Sequence, residues 1–199
     1  DALTAEAHGA QAVGFIFYPP SPRGVTPEVA REIAAALHPW TVRVGVFVNA
    51  SAAEINETAA LCGLDRIQLH GDEPFSLLAE LQRPGYRVFR LRDEQDLTAL
   101  EQEPDRIVML DTFDPGLFGG TGRPFDWSWA RRLGGQRRVI LSGGLNPANI
   151  AAAVTQAQPA ALDVSSGVEA AKGIKDPLRI AALFQALKPV AEHPLGMPN

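Results

Sequence analysis

The chain has 199 residues, a formal charge of −5, 46% hydrophobic and 21% charged residues, and a single cysteine, Cys62. That length suits one domain spanning residues 1–199 with a sizeable core. The acidic balance without a basic cluster argues against a nucleic-acid or anionic-membrane partner, and no apolar run approaches a membrane span. The lone cysteine excludes an internal disulfide and suits a reducing compartment such as the cytoplasm.

In chain order, residues 1–8 read as an alanine-rich helix closed by Gly9, and Val13–Tyr18 as a strand leading into the proline-rich loop 19–24. Thr26 is a good N-cap with Pro27 at the first helical position, and Val29, Ile33 and Leu37 recur on one face. Val42–Val48 is the next strand. Ser51 and Glu54 form a capping box opening a helix whose inward face is Ile55, Ala59 and Cys62, so that Cys62 reads as core. After the strand at Ile67–Gly71 come a helix at Pro74–Leu81, a strand at Tyr86–Leu91 and an acidic helix at Asp93–Gln102. Ile107–Leu110 reads as a buried strand ending on Asp111. A short helix at Asp126–Leu133 and a strand at Val139–Ser142 follow, and the basic pairs Arg131-Arg132 and Arg137-Arg138 read as solvated surface. Asn146-Pro147 caps another helix, Ala161–Ser165 is a strand, and Asp176-Pro177 opens the last helix, with Ile180, Leu183, Phe184 and Leu187 on its face. The tail from Pro189 to Asn199 is expected to be loosely held.

Seven buried strands alternating with eight amphipathic helices predict a parallel sheet covered by helices, an α/β chain. Eight helices favour a (β/α)8 barrel, the TIM architecture, over a doubly wound open sheet, whose G-x-G-x-x-G string is absent. Such a barrel begins with a strand, whereas the first element here is a helix. The opening strand is therefore expected to be missing, a segment of about ten residues.

In such a barrel, functional groups gather at the carboxyl ends of the strands. Asp111 precedes a segment containing Gly116, Gly119, Gly120 and Gly122, which suggests an acid beneath a mobile lid. The alternative, a helix cap, is weakened because the next helical pattern begins fifteen residues on. Ser142-Gly143-Gly144 and Ser165-Ser166-Gly167 follow the last two strands, where glycine backbone and serine hydroxyls suit a phosphate; the other reading is two ordinary turns. Arg23 sits among three prolines, either a rigid mount for binding a carboxylate or a solvated loop arginine. His70 shares a strand face with Gln68, and either points into the mouth or bonds a neighbouring loop. Asp163, read as mid-strand, either faces the ligand or pairs with a buried partner. The histidines do not cluster with Cys62, so no metal site is expected.

The strings GFIFYPPSPR (14–23), VGVFVN (44–49), QLHGD (68–72), LDTFDPGLFGGTG (110–122), FDW (125–127), ILSGGLN (140–146) and LDVSSGVE (162–169) resemble the phosphoribosylanthranilate isomerase family over nearly the whole chain. The resemblance implies a cofactor-free Amadori rearrangement in tryptophan biosynthesis. N-(5-phosphoribosyl)anthranilate becomes 1-(2-carboxyphenylamino)-1-deoxyribulose 5-phosphate. It would place the 5-phosphate on Gly143, Gly144, Ser166 and Gly167, the anthranilate carboxylate on Arg23, and the general acid at Asp111. Gln68, His70 and Asp163 are further candidate substrate contacts, and the protein is expected to be a monomer or homodimer. The family's base is a cysteine in a Lys-Ile-Cys-Gly motif on the first strand, a string these residues lack. A non-catalytic phosphosugar-binding barrel and another sugar-phosphate isomerase are the alternatives.

Overall fold

The computed structural model describes residues 1–112 and 126–191. The expected glycine-rich lid, with Gly116, Gly119, Gly120 and Gly122, and the tail beyond Ala191 lie outside the described residues. The chain gathers into two compact units that interleave in sequence: Asp1–Arg87 with Glu169–Ile180, and Val88–Val168 with the chain from Ala181 on.

In the first unit β1 (Ala12–Phe17), β2 (Val42–Phe47), β3 (Arg66–Leu69) and β4 (Gly85–Leu91) run parallel in that order. Ahead of the strands come α1 (Ala2–Ala7), α2 (Pro27–Ala36), α3 (Ala52–Cys62) and a 3-10 turn at Phe75–Glu80, where an ordinary helix was expected. Thr26 caps α2 through its hydroxyl, and Ser51 with Glu54 forms the predicted capping box on α3. Gly63 ends α3 in the left-handed region at φ 62°, as a C-terminal glycine does.

The face expected on α2 needs correction. Leu37 is buried and Ile33 packs half-buried against the core as expected, but Val29 is 44% exposed, and Ala30 and Ala34 are buried as well. Small residues four apart let the helix backbone sit close to a core of Phe15, Phe47, Ile55, Leu64, Ile67 and Leu69. Burying each of those large side chains contributes about 1.5–3 kcal/mol.

The second unit continues from the end of β4 with β5 (Ile107–Thr112), β6 (Arg138–Leu141) and β7 (Ala161–Leu162), parallel and in chain order. Its helices are α4 (Glu94–Glu101), α5 (Trp127–Gly134), α6 (Ile150–Ala157) and the later part of α7 (Pro177–Ala191). Asp93, Asp126 and Asp176 cap α4, α5 and α7 by accepting backbone N–H bonds. The two arginine pairs do more than face solvent. Arg132 forks onto Glu101 at 2.7 and 2.9 Å and reaches Glu94, while Arg137 donates to the carbonyls of Leu100 and Glu101 at the end of α4. Cations at a helix carboxyl terminus satisfy its last carbonyls.

Three further boundaries differ from expectation. β7 is only two residues long, α6 starts at Ile150 instead of at Asn146-Pro147, and α7 runs through Pro189 to Ala191. Between β7 and α7 lies a hairpin that periodicity did not reveal, β8 (Glu169–Ala171) paired antiparallel with β9 (Ile174–Lys175), and it belongs to the first unit. Among the described residues no helix is long and apolar enough to cross a membrane.

Candidate functional site

In the second unit, Asp111 is the penultimate residue of β5, at the carboxyl end of the strand as expected. Strand alternation puts it on the face of Ile107 and Met109, half-buried. After β6, the Ser142 N–H donates to the Leu110 carbonyl at 2.8 Å and the Ser142 hydroxyl donates to Asp163 Oδ2 at 2.8 Å. Asp163 is not mid-strand, because β7 stops at Leu162; its N–H donates to the Leu141 carbonyl at 2.9 Å. Ser142 is thus a polar partner for the Asp163 carboxylate, and the bond ties the residue after β6 to the residue after β7.

The two glycine loops are built for close approach. Gly143 and Gly144 have φ of 82° and 65°, a conformation that costs a side-chain-bearing residue about 1–2 kcal/mol. The Gly144 carbonyl accepts from Asn146 Nδ2 at 3.1 Å and Asn149 Nδ2 at 3.0 Å, while Asn149 Oδ1 accepts from the Asn146 N–H at 2.8 Å. Asn146 keeps the cap-type bonds expected of it, its Oδ1 accepting from the Ala148 N–H at 2.9 Å and its carbonyl from the Ile150 N–H at 3.0 Å, while its amide group and that of Asn149 also fold the loop onto the Gly144 carbonyl. The second loop contains the 3-10 turn Ser166–Val168. A Cβ placed on Gly167 would lie 1.8 Å from the Leu145 carbonyl oxygen and 2.8 Å from its carbon, so this turn rests directly on the end of the Gly143-Gly144 loop. Within one unit the chain therefore unites Ser142, Gly143, Gly144, Asp163, Ser166 and Gly167. Backbone held this way, free of β-carbons and flanked by serine hydroxyls, can accommodate an anion.

In the first unit, Arg23 is bound side-on by Glu169, Nε to Oε1 and Nη2 to Oε2, both at 2.7 Å. Lys175 Nζ lies 3.1 Å from the same Oε1. Arg23 and then Lys175 hold the Glu169 carboxyl down at about 2 against the cost of burial. This neighbour, 146 residues away in sequence, was not foreseen for Arg23. His70 and Gln68 do share a face: Gln68 Nε2 is 2.8 Å from His70 Nδ1, and the Tyr86 hydroxyl donates to Gln68 Oε1 at 3.1 Å. Glu73, almost wholly buried, accepts from the N–H groups of Asn49 at 2.6 Å and Gly71 at 2.8 Å, joining the exits of β2 and β3 beside His70.

Sequence reasoning missed Glu169, Lys175, Glu73 and Tyr86. The available signal was chemical: a charged or polar residue in or beside a strand pattern needs a partner when buried. Cys62 is core, as expected. It is 3% exposed, its Sγ lies 3.3 Å from the Pro27 carbonyl oxygen, and burial followed by Glu28 pushes the thiol above its ordinary range. Among the described residues no three His, Cys, Asp or Glu side chains gather as a metal site.

A family model described as N-(5'-phosphoribosyl)anthranilate (PRA) isomerase matches residues 1–186. An N-(5'-phosphoribosyl)anthranilate isomerase of Citrifermentans bemidjiense is 44% identical over 191 residues, covering 96% of this chain and 93% of its own length. The enzyme of that name from Pseudomonas fluorescens strain SBW25 is 46% identical, covering 94% and 90%. Among solved structures, phosphoribosyl anthranilate isomerase from Thermotoga maritima superposes with a TM-score of 0.89 at 40% identity, covering 95% of this chain and 93% of that one. Another, an isomerase in complex with reduced 1-(o-carboxyphenylamino)-1-deoxyribulose 5-phosphate, gives 0.85 at 38% identity with the same coverage. With chain-ordered parallel strands and interspersed helices, this is an α/β fold of the TIM-barrel type. The chain belongs to the N-(5'-phosphoribosyl)anthranilate isomerase family and is an isomerase of tryptophan biosynthesis.

Proposed function

We propose that the chain carries out the Amadori rearrangement of N-(5-phosphoribosyl)anthranilate with its residues in the following roles. The 5-phosphate sits on the glycine loops, at Gly143, Gly144, Ser166 and Gly167, with Ser142 and Asp163 holding those loops in register. Arg23 takes the anthranilate carboxylate, and Gln68 with His70 contacts the remainder of the substrate. Asp111 gives its proton to the furanose oxygen as the C1–O bond breaks, and the nitrogen lone pair forms the protonated Schiff base. A base then takes the C2 proton; the resulting enolamine becomes the ketone, so the overall reaction is an isomerisation with no cofactor.

The observation that carries this assignment is Gly167 seated on the Leu145 carbonyl, which makes one cradle from two loops in the unit that also holds Asp111. The base has no counterpart among these 199 residues, which lack the family's Lys-Ile-Cys-Gly string. The described strands and helices are assigned to a single (β/α)8-barrel domain. The protein is placed in the cytoplasm, as a monomer or homodimer, with the phosphorylated amino-sugar as its partner and no role for nucleic acid.

The test is turnover of freshly generated phosphoribosylanthranilate by the full gene product, followed by loss of anthranilate-type fluorescence and by identification of the ketose product. Production of that ketose is the expected result. Tight binding of the reduced product without turnover would instead leave a phosphosugar-binding barrel.

A further inference from the structure

We infer that Glu169 is a positioning residue for the substrate: by gripping Arg23 side-on from the β8–β9 hairpin, it keeps the other edge of the guanidinium aimed for the substrate carboxylate. This rests on the assignment of that carboxylate to Arg23.

A guanidinium has five N–H donors and can hold two carboxylates, one along its Nε–Nη2 side and one across its Nη1–Nη2 end. Glu169 uses the first, with both bonds at 2.7 Å. Among the described residues no hydrogen bond is made by Nη1. The burial of the pair is unequal: the Glu169 side chain is 5% exposed and that of Arg23 27%. The carboxylate is thus the hidden partner, and Arg23 is the one whose side chain stays partly exposed.

Charge makes the same point. An Arg–Glu pair alone is neutral and would offer an incoming carboxylate little attraction. Lys175, 3.1 Å from Glu169 Oε1, leaves the trio with one net positive charge, which a single carboxylate neutralises. A purely structural tie between a hairpin and a loop would not need the lysine.

The mount is stiff on both sides. Arg179 Nη1 donates to the Glu169 carbonyl at 2.6 Å, fixing the hairpin's first residue. At the hairpin turn, Gly173 has φ 82°, and a Cβ there would lie 2.7 Å from the carbonyl oxygen of Pro22, the residue before Arg23. The loop closes on itself too: the Arg23 N–H donates to Ser21 Oγ at 3.2 Å and the Gly24 N–H to the Ser21 carbonyl at 3.0 Å. An arginine otherwise free to rotate is thereby limited to one orientation, so less side-chain entropy is lost when substrate binds.

The experiment measures the affinity of the full-length protein for two probes. One is reduced 1-(o-carboxyphenylamino)-1-deoxyribulose 5-phosphate; the other is the same reduced phosphosugar built on aniline, which has no carboxylate. Glu169→Gln is expected to weaken the first on the order of tenfold and to leave the second within about twofold. Arg23→Met should show the same selectivity. If Glu169→Gln weakens both probes equally, or neither, while Arg23→Met still selects against the carboxylate, Glu169 does not position Arg23. If Arg23→Met itself shows no selectivity, the carboxylate does not bind Arg23, and the assignment beneath this inference fails. Should Glu169→Gln not fold, Glu169→Asp, which keeps the charge but shortens the reach, reads the same ratio, with the same selective loss expected and an unchanged ratio overturning the inference.

Discussion

Asp111→Asn is expected to lower kcat by about 10²–10⁴-fold, the usual contribution of a positioned general acid, while KM changes little. The substitution is nearly isosteric and the side chain is only half-buried, on the β5 face that also carries Met109 at 1% exposure. Packing therefore has little reason to change, and the urea midpoint should stay close to that of the parent chain. An amide can still hydrogen-bond to the ring oxygen but cannot deliver a proton to it. That separates chemistry from binding: reduced-product affinity should hold while turnover falls. Turnover within tenfold of the parent would remove Asp111 from the reaction.

Gly167→Ala is expected to damage folding and binding together. Its β-carbon would meet backbone atoms, the Leu145 oxygen at 1.8 Å and carbon at 2.8 Å, which cannot swing aside as a side-chain tip can. The turn at Ser166–Val168 must lift off the Gly143-Gly144 loop, at a cost of about 2–3 kcal/mol in stability. Affinity for the reduced product should fall by at least tenfold as the phosphate loops separate. Gly144→Ala is the control for stability alone. Nothing in the protein lies within 4 Å of a Cβ there, so folding is penalised only through the positive φ of 65°, by about 1–2 kcal/mol. If the two variants unfolded at the same urea concentration, contact between the loops would not be what holds the cradle together.

Features set within a few residues of one another are the ones legible in the sequence. Thr26, Ser51 with Glu54, and Asp176 act as the helix caps that their spacing predicts, because a cap is a bond between near neighbours. Cys62 was legible as core because three and four residue steps from Ile55 through Ala59 share one helix face. On α2 the spacing of Val29, Ile33 and Leu37 holds for Leu37, which is buried, and for Ile33, which packs against the core, but not for Val29, whose place on the buried side is taken by Ala30 and Ala34.

What escaped was either long-range or very short. Arg23 meets Glu169 across 146 residues, and no local pattern announces that pair. The hairpin strands have three and two residues, too few for alternation to register. At the candidate site, the glycine and serine strings pointed to the loops. The contact of Gly167 with Leu145, and the asparagines wrapped around the Gly144 carbonyl, belong to three-dimensional packing. Asn146-Pro147 reads as a helix start because its side-chain chemistry is that of a cap, and Asn146 Oδ1 does accept the Ala148 N–H; its Nδ2 is spent on the loop, and the regular helix begins only at Ile150.

The most direct measurement is a crystal structure of the full gene product bound to the reduced product. Its phosphate should lie within hydrogen-bond distance of the backbone at Gly144 and Gly167, its carboxylate on Arg23, and the Asp111 carboxyl against the sugar carbons. A ligand bound with its phosphate at Arg23, or with no sugar atom near Asp111, would contradict the roles assigned to these residues.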